Sequence, residues 1–518
     1  MKKLFLLIAL SACAFMLNAQ FLNVRMSNYG GFNEPGIFIN PKNTLEIMAG
    51  TNLNNYFYSE DGGLTWEHGI LTEPNYGVWG DPVIIADTLG DFYFFHLSNP
   101  VSGNWIDRIV CQKFDKISRT WGPGTFMGLN GTKAQDKEWA IVDRTNNNIY
   151  VTWTQFDDYG SSSPLCESNI MFSKSIDAGQ TWSTAIRINE VAGNCIDSDD
   201  TTEGAVPAVG PNGEIYVSWA GPAGIVFDRS LDQGETWLEE DIFVTAHPGG
   251  WDISIPGIFR SNGMPVTKCD LSGGPNHGTI YINYADQSNG SNDTDIWLVK
   301  STDGGDTWTE PKRVNDDPPG KHQFFTWMDV DQVTGHLYFV FYDRRNYVDN
   351  KTDVYLAISQ DGGETFENIL ISESPFTPTP NVFFGDYNNI AAYNNMVRPV
   401  WTRMDNSNNS IWTAIVDINV GIPEKELRPF SLEQNYPNPF LQTTTFSYKL
   451  SEPGIIQLAV YDQFGRNVAT LQHNTFKERG SYRVTFDAEK YKLPPGVYYI
   501  NLKSDKLTLN RKMVVAGF

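Results

Sequence analysis

An octapeptide of the form Ser-x-Asp-x-Gly-x-Thr-Trp recurs at Ser59–Trp66, Ser175–Trp182, Ser230–Trp237 and Ser301–Trp308, and a fifth copy at Ser359–Phe366 exchanges only the last Trp for Phe. Repetition at this period constrains the fold strongly, because each unit must bury its apolar face against a neighbouring unit rather than within itself. The copies start 116, 55, 71 and 58 residues apart. The first gap is twice the last, and at its midpoint Phe114–Trp121 is a decayed copy that keeps Thr120-Trp121. The chemistry of the box is local. An Asp carboxylate accepts backbone N–H groups and locks a hairpin turn, Gly permits positive φ, and the Trp is free to pack beneath the turn between sheets.

Short apolar runs in pairs precede the boxes. Asp81–Asp87 is followed by Asp91–Phe95, Glu138–Asp143 by Asn148–Trp153, and Ala205–Val209 by Glu214–Trp219; Thr279–Tyr284 and His336–Tyr342 continue the series. Separated by Asn/Thr/Gly turns, these read as paired buried strands. With the hairpin carrying the box they make a four-stranded blade. Units begin near Glu34, Asp81, Asp136, Glu203, Asp252, His322 and Phe384, and the last, Asp386–Asp417, has strands but no box. The sequence therefore predicts an all-β propeller over residues 20–418, seven blades being favoured over six, with Gln20–Met26 closing the ring against the last blade.

This motif is the Asp-box, or BNR repeat, and the chain resembles the Asp-box β-propellers of the sialidase superfamily. The resemblance implies that the boxes lie between the third and fourth strands of each blade, on the face opposite an active site. Asp61, Asp177, Asp232, Asp303 and Asp361 are accordingly expected to be structural. Sialidases are six-bladed, so the seven-unit count and close kinship pull apart.

The ends of the chain have other roles. Lys2 and Lys3 followed by the apolar Leu4–Leu10 read as a signal peptide cleaved after Ala19, the lipobox-like Leu10–Cys13 being the rival reading. No later stretch is apolar for the 18 or so residues that span a bilayer, so no transmembrane helix is expected. Residues 419–429 read as a linker. Beyond it the series Leu432–Phe440, Val460–Arg466, Gly496–Ile500 and Lys512–Val515 closely resembles the type A C-terminal sorting domain of type IX secretion cargo. Alternating strands predict a small Ig-like β-sandwich over residues 430–518. The resemblance implies recognition by the secretion machinery and a secreted or surface-attached product. In that compartment the four remaining cysteines permit disulfides; Cys166 and Cys195, in loops of one repeat unit, are the pair chosen, against the alternative of four free thiols.

Two sets of propeller loops share one face: those leading into the innermost strands and those joining the second and third. The first set carries Glu34, Asp81, Asp136, Glu138, Glu203, Asp252 and Asp386; the second carries Asp157, Asp158, Asp286, Asp343, Arg344, Arg345, Arg403 and Asp405. Crowded carboxyls raise one another's pKa and so can supply an acid and a base; equally they cap turns or hold a Ca²⁺ ion, and no cofactor is required. A sialidase also needs an arginine triad for the substrate carboxylate and a Tyr nucleophile partnered by Glu. The family signature Phe/Tyr-Arg-Ile-Pro is absent: Glu34–Phe38 stands there without Arg, and Ser254–Arg260 has the wrong order and blade. By placement alone, Arg344, Arg345 and Arg403 are the triad candidates, Tyr387 the nucleophile, Glu203 its partner and Asp81 or Asp136 the acid; paired loop braces are the alternative. Trp79, Trp139, Trp251, Phe324, Phe325, Trp327, Phe383 and Phe384 cluster at the same strand ends, two or three of them expected to face a glycan and the rest to be core.

The charge narrows the partners. Residues 428–518 hold 12 basic and 7 acidic side chains, and with the two leader lysines set aside residues 20–427 carry −30. Nucleic acid is excluded as a main partner, and an anionic sugar meets a repelling field. The function expected is glycan-directed, either exo-glycoside hydrolysis of sialidase-like type or non-catalytic binding of glycans or glycoproteins as a surface interaction module.

Overall fold

A computed structural model of the chain describes residues 21–27, 30–418, 430–432, 434–450, 453–504 and 508–516. The readings of residues 1–19 as a signal peptide or lipobox and of 419–429 as a linker fall outside the described residues. The described regular structure is β throughout, in two compact units, Met1–Ile418 and Asn419–Phe518. No helix long and apolar enough to cross a membrane is present among the described residues.

The first unit contains seven antiparallel sheets, one per predicted repeat. Their innermost strands are Gly36–Ile39, Gly80–Ala86, Ala134–Val142, Glu203–Val209, Val266–Cys269, Gln323–Val330 and Asn389–Tyr393. Each packs on the next, and the seventh packs on the first, so the ring is closed. The seventh sheet has only three strands from its own segment; Leu22–Arg25 supplies the fourth, pairing Leu22 with Ile415 and Arg25 with Trp412. The N-terminal closure read from Gln20–Met26 is found, and the blade number is seven.

The boxes form one turn repeated five times. In the first, the Ser59 hydroxyl donates to Asp61 Oδ1 at 2.9 Å and accepts the Gly63 N–H at 2.9 Å, while the Thr65 N–H and hydroxyl donate to the two Asp61 oxygens at 2.9 and 2.6 Å. Asp177, Asp232, Asp303 and Asp361 repeat the pattern with Thr hydroxyls at 2.5–2.6 Å. Hydrogen bonds from Thr236 and Thr307 hold the Asp232 and Asp303 carboxyls down at about 2. These turns also join blades. Trp182, Trp237 and Trp308 pack on Phe95, Phe172 and Phe227 of the preceding blade, at 5.8, 5.0 and 5.1 Å between ring centres. A cation just before one box reaches the next: Lys174 bonds the Gln233 carbonyl and Glu235 at 2.8 and 2.6 Å, and Arg229 bonds the Gly304 carbonyl and Asp306 at 2.6 Å each. Arg398 closes the circle by donating to the Gly62 carbonyl at 2.7 Å.

Cys166 and Cys195 form a disulfide, whereas Cys111 and Cys269 are buried free thiols. The second unit is a β-sandwich of a three-stranded and a four-stranded sheet around Phe446, Leu458, Phe486, Ile500 and Met513. Its Asp462–Arg466 turn is capped by Asp462, which accepts the Phe464 and Arg466 N–H groups at 2.9 and 3.0 Å.

Candidate functional site

Four innermost strands carry a β-bulge at the end where the chain enters the ring, at Gly80/Val83, Asp136/Trp139, Glu203/Val206 and Phe324/Trp327. The residue in each bulge takes a left-handed conformation: Asp81 at φ 51°, Lys137 at 52°, Gly204 at 77° and Phe325 at 50°. Glu34 occupies the same place in the first blade at φ 50°. An extra residue bends the strand and re-aims its side chain. Here three of the five positions aim charge into the mouth of the central channel.

The charged groups interlock. Lys137 Nζ lies 3.1 Å from Asp81 Oδ2 and 3.0 Å from Asp386 Oδ2. Arg260 grips Asp386 with two N–H groups, Nε to Oδ1 being 2.9 Å, and its remaining terminal nitrogen lies 3.2 Å from Asp197. Glu34 accepts the Asp386 N–H at 3.1 Å and also bonds Asn52, which in turn accepts the Asp81 N–H at 2.9 Å. Tyr159 and Trp251 donate to Asp197 at 2.6 and 2.9 Å. The Cys166–Cys195 disulfide ties together the loops bearing Tyr159 and Asp197, and the Gly160 N–H meets the Cys195 carbonyl at 2.7 Å.

A cavity of about 400 Å³ opens over this network, walled by Trp79, Trp105, Tyr159 and Phe383 and floored by Glu34, Asp81, Asp136, Lys137 and Arg260. Trp105 stands edge-on to both Trp79 and Tyr159, at 5.8 and 5.6 Å. Below the floor, Trp139, Trp327 and Tyr387 meet across the axis and plug the channel, with ring centres 4.3 Å apart for the two tryptophans and 5.2 Å for Trp139 and Tyr387.

The carboxyls of this network are driven to opposite states. Burial alone would raise Asp386, but Lys137 and Arg260 outweigh it and hold the carboxyl down at about 2. Burial pushes Asp136 up to about 7; Lys137 opposes the rise, and Asp81 and Asp197 add to it. Asp136 accepts one hydrogen bond among the described residues, from the Lys137 N–H at 2.9 Å. Burial and then Asp81 raise Glu34 well above the usual carboxylate range. Burial of Lys137 is outweighed by Asp81, Asp386 and Asp136, so it stays a cation.

Of the candidates read from sequence, Asp81 and Asp136 line the cavity. Glu203 and Tyr387 do not. Glu203 is fully buried, its pKa raised by burial and then by Asp197, and Tyr387 belongs to the plug, its hydroxyl without a hydrogen bond among the described residues and its pKa raised by burial and then by Asp81. The three arginines of the triad reading are not brought together with the cavity. Arg344 bonds Thr352 and the Pro256 carbonyl, Arg345 pairs with Asp343 and Asp316, and Arg403 forks onto Asp405 at 2.6 and 3.0 Å. None of the three lines the cavity, and the guanidinium that does, Arg260, is consumed by Asp386 and Asp197. Among the aromatics Trp79 and Phe383 line the cavity, while Trp139, Trp251, Phe324, Phe325, Trp327 and Phe384 are core. Among the described residues no group of three or more His, Cys, Asp or Glu side chains is arranged to hold a metal ion.

Lys137, Arg260, Trp105 and Tyr159 were missed by sequence reasoning. Lys137 had a signal, a lone cation between Asp136 and Glu138 in a ring of acids. Arg260 had none, because its role depends on the approach of the fifth blade to the seventh.

Fold and site together define a seven-bladed propeller with an acidic, aromatic-walled cavity at one mouth of its channel. Residues 434–516 match the family model of the secretion system C-terminal sorting domain, so this is an exported protein, secreted or held at the cell surface. No curated protein matches the sequence. Solved structures similar to the chain include a Hadza microbial sialidase, Hz136, at 15% identity over 73% of this chain and 75% of that one, TM-score 0.40. The α-L-arabinofuranosidase Arb93A of Fusarium graminearum is 13% identical over 65% and 97%, TM-score 0.45. A PL25 ulvan lyase is 13% identical over 76% and 96%, TM-score 0.45.

Proposed function

We propose that the channel-mouth cavity binds an uncharged sugar residue of a glycan and that Asp136 is the general acid of a glycoside hydrolase. The observation that carries this reading is the split between two carboxyls of one network, Asp136 at about 7 and Asp386 at about 2. Opposed pKa values within one site mark a proton donor and a fixed charge. Asp136 keeps its proton in mildly acidic solution and faces open space, as protonation of a glycosidic oxygen requires. Asp81, ion-paired to Lys137 in the same cavity, is the carboxylate for the opposing role of base or nucleophile. Trp79, Trp105, Tyr159 and Phe383 offer apolar faces for a sugar ring.

Charge selects against sialosides. Both cations of the cavity are already paired with carboxylates, so a substrate carboxylate finds acids and no free guanidinium. The test is turnover by residues 20–427 of a panel of neutral aryl glycosides and a fluorogenic sialoside, with Asp136→Asn beside the wild type. Cleavage of a neutral glycoside, lost in the variant, is the expected result. No turnover on any substrate would overturn the hydrolase; binding on a glycan array that Trp105→Ala abolishes would then establish a non-catalytic glycan-binding surface.

A further inference from the structure

The channel has a second mouth, below the aromatic plug, where the innermost strands end, from Ile39 in the first blade to Ala392 in the seventh. A separate cavity of about 60 Å³ lies there, several times the volume one water needs. Its charged lining is Arg144, Lys268 and Asp329. Lys268 and Asp329 neutralise each other at 3.1 Å, and Asp329 also accepts the Ala392 N–H at 2.8 Å. The neighbouring Asp331 is spent on the backbone of the seventh blade, accepting the Asn394 and Asn395 N–H groups at 2.9 and 2.6 Å.

Arg144 is left over. Among the described residues its guanidinium makes no hydrogen bond and no ion pair, and it lies over the Tyr393 ring, 5.5 Å from the ring centre. Partly open to solvent at this mouth, the guanidinium offers its N–H donors and full charge to whatever occupies the cavity. Burial lowers the Arg144 pKa against the pull of Asp329, Tyr393 and Asp331, as expected of a cation whose neighbours do not neutralise it. A guanidinium held in a channel mouth without a protein counter-charge is open to an anion from solution. Water satisfies donors without neutralising charge, whereas a planar carboxylate does both and matches the guanidinium fork.

We propose that this second mouth is a binding site for a small carboxylate, held by Arg144 with Lys268 at its edge. The site is independent of the sugar cavity, since Trp139, Trp327 and Tyr387 stand between them. Its ligand joins the third and fifth blades through Arg144 and Lys268, and should therefore stiffen the ring.

The test is acetate binding to the mature full chain, read by saturation-transfer NMR of acetate and by the thermal midpoint at constant ionic strength with chloride as the balancing ion. Wild type should bind saturably and gain in midpoint. Arg144→Gln should weaken binding at least about tenfold and lose the gain, and Arg144→Lys, which keeps charge but not the fork, should fall between. Should Arg144→Gln fail to fold, Arg144→Lys and Tyr393→Ala carry the comparison. Acetate binding unchanged in Arg144→Gln, or no binding by wild type, would overturn the proposal. A response to phosphate but not to acetate would overturn the carboxylate assignment.

Discussion

Arg260 and Asp386 lie 126 residues apart, yet they meet as a forked ion pair in the charged network at the channel mouth, with Nε 2.9 Å from Oδ1. The pair holds Asp386 as a charge and, among the described residues, leaves the cavity without a free guanidinium. It also lowers the pKa of Asp136, because Arg260 is among the charges favouring the ionised form.

That last relation sets a pH profile. Hydrolysis of a neutral glycoside should fall as pH rises through about 7, where Asp136 loses its proton. Arg260→Gln removes a cation that favours the carboxylate, so the descending limb should move to higher pH. A limb that stays put, or moves down, would contradict the assignment.

Asp136 should also link stability to pH. Its folded pKa is raised, so its contribution is fully present below the unfolded value near 4 and is lost as pH rises through about 7. The loss is at most roughly 1.4 kcal/mol per pH unit across that window. Asp136→Asn removes the penalty, so thermal melts should find the variant stabilised relative to wild type at about pH 8 and not at about pH 4. Asp386 works in the opposite sense: its folded pKa is lowered to about 2, so its stabilisation is present above the unfolded value and is lost as pH falls toward 2.

The inter-blade latches separate packing from charge. Trp237→Ala, which removes the ring packed on Phe172, should cost about 3 kcal/mol. Glu235→Ala breaks only its ion pair with Lys174, and Glu235 is 70% exposed; the cost should stay under about 1 kcal/mol. Denaturant titration of both variants checks the order.

Ring closure depends on one short strand. Deleting residues 21–27 strips Leu22–Arg25 from Asn408–Asp417 and bares that edge. The expected outcome is a lowered thermal midpoint with concentration-dependent association, read by light scattering during the melt.

Much of the fold could be read from sequence because its determinants are local. Ser59, Asp61, Gly63 and Thr65 complete a turn within eight residues, and the same octapeptide marks four other blades. The N-terminal strand and the Cys166–Cys195 pair followed from the repeat count and loop position. The site was less legible. Arg345 and Arg403 stand two residues from Asp343 and Asp405, and those short-range pairs take them before any distant convergence can. Tyr387 comes one residue after Asp386, and that single step turns it from the charged network into the plug. Lys137 and Arg260 act through carboxylates of other blades, which chain order does not reveal.

The most direct test of Asp136 as the proton donor is its own titration. With aspartate selectively labelled with ¹³C at the carboxyl, the resonance missing from Asp136→Asn identifies the group, and its shift is followed with pH. The account predicts a midpoint near 7, with a second buried carboxyl, lost in Asp386→Asn, still ionised down to about 2. A midpoint near 4 for Asp136, the ordinary aspartate value, would contradict it.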